Sequence, residues 1–466
     1  VSIPQLPRLD GRAPRVVSLV YNDASTDSRV LKTTATLRAA GADARIVASA
    51  RDLAGHPAGT GQVGDLEVHR APDLNLTRML PGLTRAWRRF RGKDLREQAT
   101  APSAVPLPQA QTPPAATGRR ESETAPTVPS GRDRLVARAA DVWMRTYQTA
   151  RLGYWWLGAV REGRSLEPDV VHANDANALV PAVLITLGTP GRVVYDSHEL
   201  WRRRNIRQDR WLAPAVEALI ESVGVRVAAG VITVSPSIAE WLQRTYSLTV
   251  RPTLVRNIPT ARALPDPAGG RLRELAGLAA QDKVVSYVGG ITTGRGLEET
   301  VDAMALLPPD THLVLLGYGD ERYIAGLLER ARGAGVSDRV HLAGSVPSPQ
   351  VPQTLADADV AVVYVRPICL SYRYSLPNKL FESIHAGLPI VAADLPDTSA
   401  IVRHYGVGEV FDATTPAELA AAIEQVLADP TTYRAAAREA AAELTWEHEA
   451  ADLVGLYTRV LEGRRG

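Results

Sequence analysis

Short unbroken apolar runs alternate with helix-spaced segments along most of the chain. A buried-strand run at 15–20 is followed by a polar loop at 21–27. A helical segment at about 28–40 stops at Gly41, and a second strand run at 44–48 begins at once. Continuous apolar strands joined by helical crossovers predict a parallel sheet covered on both faces. Runs at 169–172, 192–196 and 230–234 extend it, each succeeded by a helix opening on a small or polar residue. The pattern restarts after Asn257-Ile258-Pro259, with strands predicted at 284–288, 312–316, 339–343, 360–365 and 389–392. Two α/β Rossmann-like domains in series, 1–257 and 258–445, are therefore expected. Segments 416–427 and 432–461 are Ala-rich and helical by period, and the end, 446–466, is expected to cross back over the first domain.

Residues 98–132 interrupt the pattern. They are rich in Pro, Ala, Ser and Thr, bury too little to offset the entropy of ordering, and are expected to be disordered. Before them, 74–91 mixes Trp87 and Phe90 with Arg78, Arg85, Arg88, Arg89 and Arg91. After them, 135–156 brings Trp143, Tyr147, Tyr154, Trp155 and Trp156. Basic residues among interfacial aromatics suit a helix resting on an anionic membrane surface; core aromatics with a solvated arginine face are the alternative.

Composition narrows the functional classes. The 466 residues carry 53 Lys+Arg against 51 Asp+Glu, a balance that argues against nucleic acid as a partner of the whole chain. Lys32, Lys93, Lys283 and Lys379 are the only lysines; so much Arg and Ala suggests the GC-rich coding bias of a bacterial gene. One cysteine, Cys369, permits neither an internal disulfide nor a multi-cysteine zinc site and fits a reducing, cytoplasmic setting. No apolar run approaches the ~20 residues of a membrane span, and 1–14 lacks a signal-peptide core, so a soluble or peripheral protein is expected.

The most informative stretch is SYRYSLPNKLFESIHAGLPIVAAD, residues 371–394. It reads as a loop, a helix carrying Lys379, Glu382 and His385, a stop at Gly387 and a buried strand. A helix start with a lysine in its first turn can hold a diphosphate, because free backbone NH groups and the positive dipole end face the anion. Glu382, one turn later, can accept both hydroxyls of a ribose. An ordinary helical surface pair is the competing reading of Lys379 and Glu382.

The segment NKLFESIHAGLPIVAADLP resembles the second-domain signature of retaining GT-B glycosyltransferases, specifically glycosyltransferase family 4. YVGGITTGRGLEETVDAMALLP resembles the first βα unit of that family's donor domain, LVLLGYGDE its third-strand turn, VHLAGSV its base-contacting loop and TWEHEAADLVGLYTRVL its closing helix. DVVHANDANAL and VVYDSHEL resemble the two cleft-facing strand ends of its first domain. The resemblance implies two Rossmann-like domains facing a cleft, with a nucleotide-sugar donor on the second and a glycan or lipid-linked acceptor on the first.

It also implies site residues. Arg295, where many members have lysine, and Lys379 would pair the donor phosphates with helix-end NH groups at Asn378, Lys379 and Leu380. Glu382 would bind the ribose, Gly289 and Gly290 would admit the ligand close to the backbone, and Gly344, Ser345 and Val346 would meet the base. His198 and Asp175 are the first-domain catalytic candidates, and Asp27, Arg29, Asn174 and Glu199 the acceptor-binding ones. Two departures stand out: Tyr374 occupies the place of a sugar-contacting glutamate, and Asn174 that of a cleft histidine.

Sugar transfer to an acceptor hydroxyl with retention of configuration is the implied activity, needing no cofactor beyond the donor and no metal. Asp357 and Asp359 precede a strand, where they are poorly placed for a divalent ion in the cleft. A nucleotide-sugar 2-epimerase of the same fold remains open through Asp175 and Glu199, and a noncatalytic nucleotide-sugar-binding scaffold through Tyr374 and Asn174. A dinucleotide oxidoreductase is disfavoured, since no Gly-x-Gly-x-x-Gly follows the first strand. Location in the cytoplasm, peripheral on the inner face of the plasma membrane, completes the expectation.

Overall fold

The computed structural model describes residues 3–51, 55–75, 131–205, 213–413 and 415–463. Two sheets organise them. The first contains β1 (Arg15–Leu19), β2 (Asp43–Ser49), β3 (Gly59–Val63), β4 (Leu66–Ala71), β5 (Val170–Asn174), β6 (Arg192–Ser197), β7 (Gly230–Thr233) and β8 (Thr253–Leu254). Its order is β3-β4-β2-β1-β5-β6-β7-β8, and only the β3–β4 pair is antiparallel. The second contains β9 (Lys283–Val288), β10 (Thr311–Leu316), β11 (Val340–Gly344), β12 (Val360–Val363), β13 (Ile390–Ala393) and β14 (Gly408–Phe411), in the all-parallel order β11-β10-β9-β12-β13-β14.

The central strands are buried along nearly their whole length, as both-face coverage by helices requires. Strand order reverses between β1 and β5 and again between β9 and β12, and open α/β sheets bind ligands outside the carboxyl ends of strands at such points. The short, half-exposed β8 and β14 and the β3–β4 hairpin fall outside the predicted strands. β3, GTGQV, is a Gly-rich edge with almost no buried position and hence no apolar period to read.

The chain ends in the helices Pro416–Ala428, Pro430–Glu443 and Trp446–Glu462. The last crosses back as expected: Trp446, Leu453, Tyr457 and Leu461 pack with Val16, Val170, Val194 and Ile232 of the first sheet. Each such large apolar side chain contributes about 1.5–3 kcal/mol on full burial. Its start is fastened by Trp446, whose amide donates to the Pro259 carbonyl at 2.9 Å and whose indole NH donates to Thr36 Oγ1 at 2.9 Å.

The predicted disordered segment lies outside the described residues, apart from Gly131 and Arg132, which begin the helix Gly131–Ser165. The arginine cluster from Arg78 to Arg91 also lies outside them. On that helix Trp155 is fully buried and donates to the Ala48 carbonyl, Trp156 donates to the Asn177 carbonyl, and Tyr147 to the Leu74 carbonyl. These three aromatics serve the first domain's own packing, while Trp143 and Tyr154 are exposed.

Candidate active site

On the second domain, the helix Asn378–His385 begins after Pro377, whose extended backbone turns the chain into the first turn without a side-chain cap. Lys379 is only 7% exposed: its Nζ donates to the Tyr364 carbonyl at 3.1 Å and lies 4.1 Å from the centre of the Tyr287 ring. Burial, reinforced by the Arg295 charge, pushes this amine well below the usual lysine range, against the pull of Glu382. Arg295 stacks over Tyr372 at 5.2 Å. It sits between Gly294 and Gly296, both at positive φ, and a Cβ on Gly296 would lie 2.1 Å from the Tyr364 ring.

The loop after β9 is pressed onto the turn after β10. Ile291 N donates to the Tyr318 carbonyl at 2.8 Å, and a Cβ on Gly317 would stand 1.8 Å from the Gly289 carbonyl. That backbone packing leaves Gly289 and Gly290 exposed at the strand end. Gly344 and Ser345 are exposed at the end of β11, and Val346 packs on the core. Asn378 is exposed; Leu380 is fully buried by its side chain, and its amide donates to the Pro377 carbonyl at 3.0 Å.

Glu382 follows Lys379 by three residues. Burial raises its carboxyl, while Lys32, Arg262 and Lys379 act to lower it. Lys32 belongs to the first domain, on the helix Ser28–Ala39; its Nζ donates to the Ile258 carbonyl at 2.6 Å and lies over Trp446. Burial lowers this amine to about 8. Lys32 on the first domain and Glu382 on the second therefore interact electrostatically.

On the first domain the ends of β5 and β6 carry a buried charge cluster. Asp196, 1% exposed, accepts from Arg29 Nε at 2.9 Å and from Arg29 Nη2 at 2.6 Å. Its Oδ2 also lies 3.3 Å from His172 Nε2 and 3.4 Å from His198 Nε2. Burial opposes the Asp196 charge, but Arg29, then His198 and His172, hold the carboxyl well below its usual range. His198 Nδ1 lies 3.3 Å from Asp175, which also accepts from the His198 amide at 3.1 Å. Burial pulls the His198 imidazole down, yet Asp175 and Asp196 outweigh it and hold it at about 10, so it is cationic at neutral pH. Asp175 takes φ of +59°, an uncommon conformation for a non-glycine residue that aims it at this strand end.

Some expected acceptor contacts are placed differently. Arg29 is buried, with its guanidinium engaged by Asp196 and the Val255 carbonyl, because a charge so enclosed needs a partner. Asn174 points inward, donating to Ser18 Oγ at 2.9 Å and to the Leu19 carbonyl at 3.0 Å. Asp27 caps the helix Ser28–Ala39, accepting from the Val30 amide and from Asn22. Glu199 stays at the cleft, its carboxyl raised by burial and Asp175 and bonded to Ser371 of the second domain. Asp357 and Asp359 are occupied by the amides of Leu272, Arg273 and Val284 and by the Arg273 guanidinium, far from any role at the cleft. Sequence reasoning missed Asp196 as the hub; a charged residue closing the apolar run of β6 was its signal.

Two family models match: Glycosyltransferase Family 4 over residues 113–261 and Glycosyl transferases group 1 over 271–444. A D-inositol 3-phosphate glycosyltransferase of Thermobispora bispora is 27% identical over 290 residues, covering 58% of this chain and 65% of that protein. Across the first curated relatives the chain spans 45% to 65% of their length. Among solved structures, a sucrose-phosphate synthase from Thermosynechococcus elongatus superposes with a TM-score of 0.67 at 16% identity, over 97% of this chain and 100% of that one. Anabaena HepE in complex with UDP-glucose gives 0.62 at 17% identity, over 96% and 98%. With one model on each sheet-bearing half and this architecture throughout, the chain has the two-domain GT-B fold and resembles glycosyltransferase family 4.

Proposed function

We propose that this chain transfers a sugar from a nucleotide diphosphate sugar to an acceptor hydroxyl, with retention of configuration and without a metal. The observation that carries the reading is a cluster at the strand ends of each domain, Arg295, Lys379 and Glu382 on the second and His198 and Asp175 on the first, with Glu199 beside His198 bonded to Ser371 of the second. Lys379 and Arg295 neutralise the leaving diphosphate together with the first turn of the helix Asn378–His385. Arg295, joined by Lys379 once the bound diphosphate has drawn a proton onto it, offsets the departing charge, which is the ground for a reading without a divalent ion.

Glu382 accepts from the ribose hydroxyls, and the main chain at Gly344 and Ser345 meets the base. The acceptor hydroxyl attacks from the side on which the diphosphate leaves, and the departing phosphate oxygen takes its proton. His198, cationic between two carboxylates, is poorly suited to act as a base. It donates a hydrogen bond that orients the incoming sugar or acceptor at the cleft. Asp175 and Glu199 shape the acceptor subsite.

The name of the Thermobispora relative makes a cyclitol phosphate one acceptor to screen, beside glycans and lipid-linked sugars. Among the described residues no helix is long and apolar enough to cross a membrane. A cytoplasmic protein peripheral on the inner face of the plasma membrane is the reading that fits a lipid-linked acceptor. Incubation with a panel of labelled nucleotide sugars tests the activity. Transfer or slow hydrolysis of one donor is expected; interconversion of nucleotide sugars indicates an epimerase, and binding without turnover a scaffold.

A further inference from the structure

The fully buried Tyr457, on the returning helix Trp446–Glu462, reaches the first-domain charge cluster from behind. Its hydroxyl lies 2.8 Å from His172 Nδ1, and the two rings are nearly parallel, 10° apart. The other imidazole nitrogen, Nε2, is 3.3 Å from Asp196. An ionised carboxylate only accepts, so Nε2 carries the hydrogen; Nδ1 is then a lone pair, and the phenol donates to it. A chain of contacts runs from the end of the polypeptide through His172 and Asp196 to His198 at the cleft.

We infer that Tyr457 is a positioning residue for the acceptor side: its hydroxyl anchors His172 with Nε2–H turned to Asp196, and so fixes the carboxylate that His198 and Arg29 also meet. The charged groups facing this cluster are Arg29 from the first helix, Asp175 from the end of β5, and Asp196 and Glu199 on either side of His198. Without the phenol, Nδ1 is a buried acceptor that has lost its donor, and the ring facing Asp196 loses its second anchor. Asp196 is then oriented less firmly toward His198, which keeps less of the attraction that retains its proton.

The consequence for turnover rests on the acceptor role proposed for His198, but the test does not. In the full chain labelled with ¹⁵N-histidine, the two ring-nitrogen shifts of His172 report its tautomer directly. Resonances are assigned by loss in His172→Gln and His198→Asn. The Nε2–H tautomer is expected, and the Nδ1–H tautomer overturns the inference without requiring any variant at position 457 to fold.

In Tyr457→Phe the titration midpoint of His198 should fall by about one unit, and in the His172→Gln background the same change should have no further effect. An unchanged midpoint in folded Tyr457→Phe also overturns the inference. Full turnover in His198→Asn would count against the acceptor-site reading alone, since the tautomer and the midpoint shift are read independently of activity.

Discussion

Ser235 of the first domain donates its hydroxyl hydrogen to the backbone carbonyl of Tyr374 in the second, at 2.7 Å. Asp397 adds a second fastening, accepting from Ser237 Oγ at 3.0 Å and from the Ser237 amide at 3.3 Å. Tyr374 also packs its ring against the first-domain core beside Leu370. The segment that leads into the helix Asn378–His385 is therefore held by the opposite domain, at the position where the family resemblance implies a sugar-contacting glutamate.

Removing that fastening should open the cleft. Asp397→Ala leaves the Ser237 donors unpaired, at a cost of about 1–3 kcal/mol to the closed arrangement. Small-angle scattering should show a larger radius of gyration, and the donor KM should rise. A variant with unchanged scattering and unchanged KM would show that closure is secured elsewhere.

Lys379 gives donor binding a pH signature. Its amine is held well below the usual range in the free protein, and a bound diphosphate favours the charged form. Donor binding should accordingly take up a proton above the depressed value, and affinity should weaken as pH rises. Calorimetry in buffers of different ionisation enthalpy measures the uptake. Arg295→Ala and Lys379→Ala should each reduce turnover by about 100-fold or more, as for loss of one transition-state stabiliser; full activity in both would remove the phosphate cradle from the mechanism.

For Glu382→Gln, which keeps the shape and loses the charge, affinity for the free nucleoside diphosphate should drop by about 1.5–3 kcal/mol if charged hydrogen bonds to the ribose are lost. Titration calorimetry reads this directly. Equal affinity in wild type and variant counts against the ribose assignment.

His198 makes a pH-dependent contribution to stability. Its folded value of about 10 lies above its ordinary 6.5. The stabilisation is thus fully present below about 6.5 and disappears as pH rises through about 10. Thermal unfolding of wild type and His198→Asn should differ most near pH 6 and converge above pH ~10.5. A constant difference across that window would mean that packing, and not charge, makes the contribution.

The arginine cluster Arg78, Arg85, Arg88, Arg89 and Arg91 beside Trp87 and Phe90 predicts docking on anionic lipid, at about 1 kcal/mol per arginine near the surface. Sedimentation with anionic vesicles at low salt should exceed that with neutral ones, and charge reversal at Arg88 and Arg89 should abolish the preference. Equal sedimentation with both vesicle types would leave these arginines as a solvated face.

The central strands, the crossover helices and the restart after Pro259 were legible in the sequence because each is set by local periodicity. Valine-rich runs such as β1 and β9 have few alternatives to a strand covered on both sides. That Lys379 and Glu382 share one helix was legible for the same reason. The edge strand β3 was not, because a glycine-rich exposed strand is stabilised by its neighbour and not by its own pattern. Nor could the sequence assign Arg29: only the fold brings it to Asp196, 167 residues away, and burial of that charge then dictates the ion pair. The same holds for Tyr457 and His172, 285 residues apart, whose meeting depends on the last helix recrossing the first sheet. Pairings inside a folded core are fixed by which surfaces exclude water together, a property of the assembled chain that no local run of residues encodes.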